Sequence, residues 1–321
     1  MDGWRQVSAK VGEDRMEQTR DQKEGEASPK KKQSVWRRIA LGGIILSALI
    51  VAFFVAAIVY NNVDFRSDAA FSKRLDAAIR QGEGWVGQHK STILETKNAA
   101  LLTMLRECND LRAEPVFAEV VASFLHEPIR HYSRCWKHEV DPNWPVDKQE
   151  LNMTIAKENI DNKWALYAIA PEKADIDPEK MGLFEPARWQ RRQLTHQLFA
   201  LTILKGKKTE DKKIDGLIEH LCGRLNNELI FDVAVVDIYI QKVAFVLRAG
   251  RPEMIRRRWV ERIIANQMPD GGWNDRWFCF ASGRRPVFGF ARPPSDQHAT
   301  IQAVMALYLV KYRYAEQFGV E

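Results

Sequence analysis

The sequence predicts an all-α protein, with a single N-terminal transmembrane helix followed by a large domain of helical hairpins. Residues 39–60 contain no charged side chain. Apolar residues recur at spacings of three and four through most of residues 61–321, whereas few segments show the period of two that is typical of strands. Amphipathic and nearly all-apolar helical segments alternate there, which indicates two layers, because a helix that is apolar all round is covered on every side.

Residues 39–60 form the predicted membrane span. At about 1.5 Å per helical residue they extend roughly 33 Å, which is enough for a hydrocarbon core of about 30 Å. A cleaved signal peptide is the alternative, but its apolar region would be about 7–15 residues long and would precede a small-residue cleavage site. This segment is longer and lies far from the N-terminus, so an uncleaved span is predicted.

Residues 1–38 are predicted to be a disordered, basic cytoplasmic tail. They show no sustained apolar period, so they cannot bury enough surface to offset the entropy of ordering. Basic side chains crowd the N-terminal flank of the span, and the other flank has none until Arg66. The positive-inside rule then places residues 61–321 outside the inner membrane, in the periplasm if the source is a bacterium. The flanking basic residues are Lys30, Lys31, Lys32, Arg37 and Arg38.

The domain of residues 61–321 is close to charge balance, with 38 Lys and Arg against 35 Asp and Glu. A basic domain that binds nucleic acid through its phosphates is therefore excluded. A second apolar stretch, residues 229–247, contains Asp232, Asp237 and Lys242, and each charge would cost roughly 2.5–3.5 kcal/mol at the centre of a bilayer. This stretch is predicted to be one buried helix of the domain.

The helices of the domain are predicted in chain order from apolar spacing, prolines and glycines. The first ends at Gly82-Glu83-Gly84-Trp85, because glycine favours a helix end. Residues 133–186 hold several prolines and are predicted to form short helices and long connections. In the helix that starts at Pro252, the residues Arg256, Arg257, Arg258 and Glu261 are predicted to face solvent. The segments are 67–80, 93–108, 114–132, 188–206, 211–226, 229–247, 252–266 and 296–312.

A Gly-Gly-Trp turn joins the last two of these helices, in the stretch Gln267-Met268-Pro269-Asp270-Gly271-Gly272-Trp273. A weaker copy of the pattern precedes Glu95-Thr96-Lys97-Asn98-Ala99-Ala100-Leu101. The stretch is similar to the Gln-Trp motif of squalene–hopene cyclases, and the pattern resembles the α/α toroid of terpenoid cyclases and protein prenyltransferase β subunits. The resemblance covers about residues 252–315, with a fainter echo at 72–106. It implies an α/α toroid, and about 260 residues are few for six hairpins, so an incomplete ring is expected.

The catalytic motifs of those families are not matched. The nearest segment to the Asp-x-Asp-Asp acid of the cyclases is Asp175-Ile176-Asp177-Pro178, which lacks the last Asp and is predicted to be a solvated loop. The Asp-x-Cys pair of the zinc prenyltransferases is absent. Cys279, Asp296 and His298 could converge after the turn, but Asp296 and His298 are better explained as residues that cap and orient the last helix. No metal and no cofactor are predicted.

Polar side chains on the otherwise apolar helices are the remaining site candidates. Some toroid glycan lyases use a Tyr and a His as acid and base, a division of roles that needs two groups with separated pKa values. The alternative is a satisfied hydrogen-bond network between helices, and for the loop arginines a solvated loop. The candidates are His196, Asp237, Tyr239 and His298 for catalysis, and Gln241, Trp273, Arg284 and Arg285 for ligand binding.

The four cysteines are Cys108, Cys135, Cys222 and Cys279. In an oxidising compartment an even number permits two disulfides, and four cysteines allow three pairings. A Cys108–Cys135 bond would join neighbouring helices, and a Cys222–Cys279 bond would fasten the last ones. Buried free thiols are the alternative.

The first function predicted from the sequence is a membrane-anchored domain that binds a ligand or partner at the membrane surface. The expected ligand is an apolar, isoprenoid or glycan molecule, and the expected partner is an envelope protein. The first alternative is an enzyme acting on a polyprenyl-linked or glycan substrate, with the four catalytic candidates near the reaction. The second alternative is a structural subunit of an envelope assembly.

Overall fold

The computed structural model describes residues 29–64, 68–95, 98–126, 131–185, 191–208, 211–232, 234–274 and 294–320. Within these ranges the chain consists of helices and turns, with an isolated antiparallel bridge between Trp273 and Asp296. The predicted all-α class is confirmed for these residues. By its internal contacts the chain divides into residues 1–53 and residues 54–321.

The helices are named in chain order. They are α1 Pro29–Asn62, α2 Asp68–Gln88, α3 Lys90–Glu95, α4 Ala100–Leu111, α5 Pro115–His126, α6 His131–Val140, α7 Lys148–Lys157, α8 Ile160–Ile169, α9 Arg191–Lys207, α10 Lys212–Phe231, α11 Asp237–Arg248, α12 Arg257–Ala265, α13 Gln297–Tyr308 and α14 Ala315–Phe318. A 3₁₀ turn lies at Pro252–Met254 and a π-helical turn at Leu309–Arg313.

Helix α1 contains the segment Trp36–Asn62, which is long and apolar enough to cross a membrane, and its most apolar 18-residue window has a mean hydropathy of 2.7. Its apolar side chains are exposed, and 6% of the most apolar window is buried. Residues 29–38, predicted as part of a disordered tail, are the first turns of this helix. Pro29 suits a first helical position, and the Lys and Gln residues that follow are good helix formers. The rest of the predicted tail, residues 1–28, lies outside the described residues.

Six helices of residues 54–321 contact one another in a cyclic order, in which α13 returns to α4. Four further helices, α5, α7, α10 and α12, lie between members of this cycle along the chain. Each packs against one or both of the cycle helices that flank it in the sequence. Helix α2 packs against α13, α5 and α12. Between α8 and α9 the described residues contain turns instead of a helix. The six helices of the cycle are α4, α6, α8, α9, α11 and α13.

Helices α9 and α11 run in the same direction, and the end of α4 meets their ends. Near their starts, the Thr195 hydroxyl on α9 donates to Gln241 Oε1 on α11. Near their ends, Arg248 on α11 donates to both carboxylate oxygens of Glu107 on α4, at 2.7 to 3.1 Å, and to the Thr202 hydroxyl on α9. The Arg248 guanidinium also lies 4.7 Å from the centre of the Phe199 ring. One arginine, whose side chain is 9% exposed, therefore joins the ends of three helices.

The Gly-Gly-Trp turn locks α2, α12 and α13 together. Gln267 Nε2 donates to the Ala78 carbonyl of α2 at 2.9 Å and to the Gly271 carbonyl at 2.8 Å. Trp273 Nε1 donates to the Ile263 carbonyl of α12 at 2.8 Å, and the Trp273 N–H donates to the Thr300 hydroxyl of α13 at 2.9 Å. Gly271 has φ +91°, and a Cβ there would lie 2.4 Å from a backbone oxygen of α2.

The predicted turn at Gly82-Glu83-Gly84-Trp85 is wrong, because α2 continues through it to Gln88. The glycine at 82 has a packing reason instead. A Cβ there would lie 2.8 Å from Val304 Cγ2 and 3.4 Å from the Trp273 ring, so Gly82 lets α2 approach α13 closely. Gly84 faces open space. The Gly-x-Trp element of the faint second copy is therefore part of α2, and the helix breaks of residues 72–106 come later, on either side of α3.

Three other predicted segments are divided in the structure. The single helix of residues 229–247 is the end of α10, a break and then α11. Asp237 begins α11, where a negative charge is favourable. Residues 93–108 split into α3 and α4, and residues 114–132 split into α5 and the start of α6.

The polar face predicted for the helix after Pro252 is partly wrong. Arg256 is exposed, but Arg258 and Glu261 are buried and form an ion pair at 3.1 Å. Arg258 is buried because it donates from Nε to the Tyr60 carbonyl at the end of α1, at 3.0 Å. Pro252 starts a 3₁₀ turn, and α12 begins at Arg257. The side of α12 that the sequence assigns to solvent thus receives the last turn of α1.

The two glycines of α2 give a matched pair of variants. Gly82→Ala is expected to lower the free energy of unfolding by about 1–2 kcal/mol, because overpacking costs about 1–3 kcal/mol and helix propensity returns less than about 1 kcal/mol. Gly84→Ala is expected to raise it by about 0.5–1 kcal/mol, since alanine replaces glycine without a clash. Urea unfolding of the full chain in detergent measures both. Changes of the same sign would contradict the close packing of α2 on α13.

A second prediction concerns pH and Glu139 of α6, which pairs with Lys207 at 3.5 Å. Burial raises the pKa of the Glu139 carboxyl, and the nearby Lys207 and Arg248 offset this only in part. A raised acid pKa in the folded state means that folding is favoured most below the ordinary value of about 4.3, and that this stability is lost as pH rises through the folded pKa.

Glu139→Gln is therefore expected to be at least as stable as the native chain at pH 7.5. The difference should vanish at pH values below about 4.3, where the native carboxyl is protonated in both states. Urea unfolding at the two pH values checks this. A glutamine variant that is less stable at pH 7.5 would show that the ion pair with Lys207 outweighs the burial of the charge.

Candidate functional site

The starts of α9, α11 and α13 bring several predicted site residues to one end of the domain, here called the N-terminal pole. It consists of Thr195, Asp237, Gln241, His298 and Gln302. Helix α13 is positioned by Asp296, whose Oδ1 accepts from the Ala299 N–H at 2.8 Å and whose N–H donates to the Trp273 carbonyl at 2.8 Å. The predicted capping role of Asp296 is confirmed. The turn thereby fixes His298 two residues later.

Asp237 and His298 are in direct contact across α11 and α13. His298 Nδ1 lies 2.7 Å from Asp237 Oδ1, and Gln302 Nε2 lies 3.0 Å from His298 Nε2. An N–H on Nδ1 donating to the carboxylate leaves a lone pair on Nε2, which accepts from the Gln302 amide. The side chains of His298 and Asp237 are 32% and 25% exposed. The pair is therefore hydrogen-bonded at both ring nitrogens and still partly open to solvent.

This geometry limits the chemistry that His298 can perform. A general base needs a free lone pair within reach of the proton that it takes. Here Gln302 occupies that lone pair, so His298 is available only when the Gln302 amide moves away. Gln302 is buried, and its Oε1 has no hydrogen-bond partner among the described side chains and backbone. Rotating the amide by 180° would let this oxygen accept from a protonated His298.

Tyr239, predicted as a catalytic acid or base, contacts α12 instead of the N-terminal pole. Its hydroxyl donates to the Trp259 carbonyl at 3.2 Å, and its ring lies 4.7 Å from the Arg262 guanidinium carbon. Burial raises the pKa of Tyr239 to about 12. A phenol that stays protonated and bonded to the backbone is a packing group, so the predicted catalytic set does not form as one cluster. His196 lies one residue after Thr195 on α9 and is partly buried.

The predicted ligand-binding residues have structural roles where the structure describes them. Trp273 is 1% exposed and fills the core between α2, α12 and α13. Gln241 is buried and accepts from the Thr195 hydroxyl. Arg284 and Arg285 lie outside the described residues. An aromatic ring beside glycines is typical both of a binding site and of a turn that stabilises a fold, so ligand binding by these residues stays a prediction.

The cysteines that the structure describes are buried free thiols, so the predicted Cys108–Cys135 disulfide is not present. Burial raises the pKa of Cys135 to about 11 and that of Cys222 to about 12. It also raises the pKa of Cys108 well above its ordinary value. These thiols are protonated at neutral pH and are therefore weak nucleophiles and poor metal ligands. Cys279, the other half of the second predicted disulfide, lies outside the described residues.

A cleft of about 350 Å³ lies away from the N-terminal pole, where α5 ends and α7 begins. At its base Lys137 Nζ donates to the Leu125 carbonyl at 2.5 Å and lies 4.2 Å from the centre of the Trp144 ring. Arg134 and Glu150 form an ion pair at 3.6 Å beside it. Cys135 lines this cleft, but none of the predicted catalytic or ligand-binding residues that the structure describes does. The sequence signal was a Trp between two prolines, which by itself names no ligand.

A buried cluster of charges lies beside the end of α1, and sequence reasoning missed it as a site. Lys242 is fully buried, with Nζ at 2.7 Å from both Glu228 Oε2 and Asp232 Oδ2. Arg262 donates to the Asp232 carbonyl at 2.8 Å, and the Arg258–Glu261 ion pair lies on the same helix. The sequence does show charged residues in the apolar stretch 229–247, but there they were used only to exclude a second membrane span.

The last turn of α1 is bonded to this cluster's helices. Trp259 Nε1 donates to Asn62 Oδ1 at 3.0 Å, and Asn62 Nδ2 donates to the Ile230 carbonyl at 2.9 Å. Arg258 and Arg256 donate to the Tyr60 and Asn62 carbonyls at 3.0 and 3.4 Å. The Tyr60 and Asn62 carbonyls belong to the last turn of α1, where carbonyl oxygens have no N–H donor within the helix. Cationic donors are therefore favourable there.

No protein-family model, curated protein or solved structure matches this chain. The resemblance to α/α toroids therefore stays a prediction.

The contact of His298 with Gln302 can be tested by stability. His298→Ala is expected to lower the free energy of unfolding by about 1–3 kcal/mol, because the buried Gln302 amide loses its acceptor. His220→Ala, at an exposed position of α10, is the control and should change it by less than about 0.5 kcal/mol.

A double-mutant cycle separates this network from loss of packing. In a Gln302→Leu background, His298→Ala should cost about 1 kcal/mol less than it does in the native chain, since the amide is already gone. Equal costs in the two backgrounds would show that His298 does not stabilise the fold through Gln302, and would leave it available for chemistry.

Proposed function

We propose that this chain is a single-pass membrane protein that holds a helical domain at the membrane surface, where the domain binds a ligand or an envelope partner. The tail would lie in the cytoplasm and residues 61–321 in the periplasm or its equivalent. The orientation rests on the basic residues before the span and on their absence immediately after it. Membrane, ligand and partner are all part of the proposal.

The observation that carries the proposal is the junction at the end of α1. An exposed apolar helix of this length is costly in water, and a bilayer offers it a solvent. Its last turn is bonded through Tyr60 and Asn62 to Arg258, Trp259 and Arg256 of the domain. A helix serving only as a removable export signal would not need such a junction. The contacts support a permanent anchor that is continuous with the domain.

We infer that the domain has the arrangement of an incomplete α/α toroid. The cyclic contacts of α4, α6, α8, α9, α11 and α13 support an inner ring. The common direction of α9 and α11 supports it further. The turn of residues 267–273 ties one outer helix to the next inner helix, as the resemblance implies. The ring would be incomplete in its outer layer, since described residues 170–185 form turns between α8 and α9.

Binding is favoured over catalysis by the state of the polar groups. The Gln302 amide occupies the Nε2 lone pair of His298. Tyr239 is hydrogen-bonded to the backbone of α12, and Gln241 is hydrogen-bonded to Thr195. Isoprenoid, glycan and apolar ligands remain the proposed classes, with an envelope protein as the proposed partner. A structural subunit of an envelope assembly is compatible with the same anchor.

An enzyme acting on a polyprenyl-linked or glycan substrate is the second candidate. The Asp237–His298 pair favours it, because a carboxylate that orients a partly exposed imidazole is the arrangement of many general bases. Catalysis would require a substrate group that displaces the Gln302 amide from His298 Nε2. Native mass spectrometry of the chain from its own membrane distinguishes the two, since a lipid-linked substrate or product mass supports the enzyme and a protein partner supports the binding domain.

Anchoring is tested by alkaline carbonate extraction of membranes. The native chain should stay in the pellet. Leu49→Arg with Phe53→Arg should move it to the supernatant, because each arginine costs roughly 2.5–3.5 kcal/mol near the centre of a span. Met153→Arg, at an exposed apolar position of the domain, is the matched control and should stay in the pellet. Release of the native chain would overturn the anchor.

A further inference from the structure

The most exposed large apolar side chain described in residues 64–320 is that of Phe231, which is 66% exposed at the end of α10. The other such side chain there is Met153, at 48% on α7. A single exposed apolar residue needs no explanation. Phe231 is different because it lies beside the end of the predicted span. Its neighbour in the chain, Ile230, is hydrogen-bonded to the last residue of α1.

Phe231 follows directly after Ile230, whose carbonyl accepts from Asn62 Nδ2 at 2.9 Å. Asn62 is the last residue of α1. Near this junction, Tyr60 and Val63 are also exposed, at 40% and 43%. Phe231 is therefore the residue next to the one that binds the end of α1. Asn62 and Phe231 both belong to the compact unit of residues 54–321.

The length of the span sets the depth of this junction. The segment Trp36–Asn62 has 27 residues, so it extends about 40 Å, against about 30 Å for the hydrocarbon core and about 40–45 Å with the headgroups. Asn62 then lies among the headgroups and Tyr60 near the acyl boundary. Aromatic rings are favoured at this level of a membrane.

The charges around the junction are mixed. Arg256 is exposed and donates to the Asn62 carbonyl at 3.4 Å, and Arg257 is partly buried beside it. Asp64 and Glu253 are exposed close by in the chain. Because the local charges of both signs balance, the surface has no strong preference for anionic lipid. The exposed Arg256 can contact the phosphate that every phospholipid carries, and Phe231 can contact the apolar boundary below it.

We infer that Phe231 is a second membrane contact of the domain, inserted at the headgroup–acyl boundary of the leaflet in which α1 ends, with Arg256 at the phosphate level. This inference rests on the proposed membrane anchor. With α1 across the core and Phe231 at its boundary, the molecule has two contacts with the bilayer, and the second limits the range of tilt that a span alone would allow. The occupant of the patch is thus a phospholipid surface, not a protein.

The test uses an environment-sensitive fluorophore on single cysteines in the full chain. The background is Cys279→Ser, because the other three thiols are buried, with raised pKa values, and should not label. The variants are Phe231→Cys, Met153→Cys as the exposed control, and Val51→Cys as the reporter of the span. Each is reconstituted into phosphatidylcholine vesicles, with and without phosphatidylglycerol, and quenched by lipid spin-labelled near the headgroup.

The expected result is about twofold quenching at 231, as for a group about 5–10 Å into the boundary, and none at 153. Quenching at 231 should be the same with and without phosphatidylglycerol. Equal signals at 231 and 153, with a blue-shifted signal at 51, would overturn the Phe231 contact and leave the anchor standing. A water-like signal at 51 would overturn the anchor itself. Quenching at 231 only in phosphatidylglycerol would replace the phosphate contact by an anionic-lipid site.

Discussion

The side-chain amide of Gln267 joins α2, the first helix after the predicted span, to the turn between α12 and α13. Its bond to the Ala78 carbonyl connects residues that are 189 positions apart, and its second bond holds the turn that carries Trp273. The other contacts at this point depend on that closure. Gly271 has to take a positive φ so that the turn fits beside the backbone of α2, and Gly82 has to lack a side chain so that α2 can lie against α13. Arg248 makes the corresponding closure at the far ends of α4, α9 and α11.

The sequence predicts the parts of this fold whose cause is local. The apolar spacing gives the helical class, the uncharged stretch 39–60 gives the candidate span, and the Gln-to-Trp stretch marks the turn that closes the domain. The failures come from causes that are not local. Glycine in α2 reads as a helix end, because only the distant Val304 and Trp273 show that it is a contact point. The break between α10 and α11 was missed, because an apolar run does not reveal where two aspartates end one helix and begin another.

The site was predictable to the same degree. Asp237 and His298 were chosen as polar groups early in apolar helices, and helices that start at one end bring such groups together. Tyr239 satisfied the same rule but lies on the side of α11 that contacts α12, two residues after Asp237, where a different face is presented. The partner that decides the chemistry of His298 is Gln302, and an amide one turn further on does not stand out in a sequence. Periodicity finds which residues are buried, but not which buried groups satisfy one another.

Two of the buried cations beside α1, Arg258 and Arg262, are explained by the backbone carbonyls to which they donate. Burying Lys242, Arg258 and Arg262 is costly unless each is paired and hydrogen-bonded. Lys242 has two carboxylates, Arg258 has Glu261 and the Tyr60 carbonyl, and Arg262 has the Asp232 carbonyl. Apolar residues of similar size could fill the same space, but they could not donate hydrogen bonds to the free carbonyls at the end of a helix. A junction built from cations therefore recognises a helix terminus specifically, and it permits α1 to end at Asn62 inside a bonded framework. That requirement explains why the side of α12 that looks like a solvent face is the one that is covered.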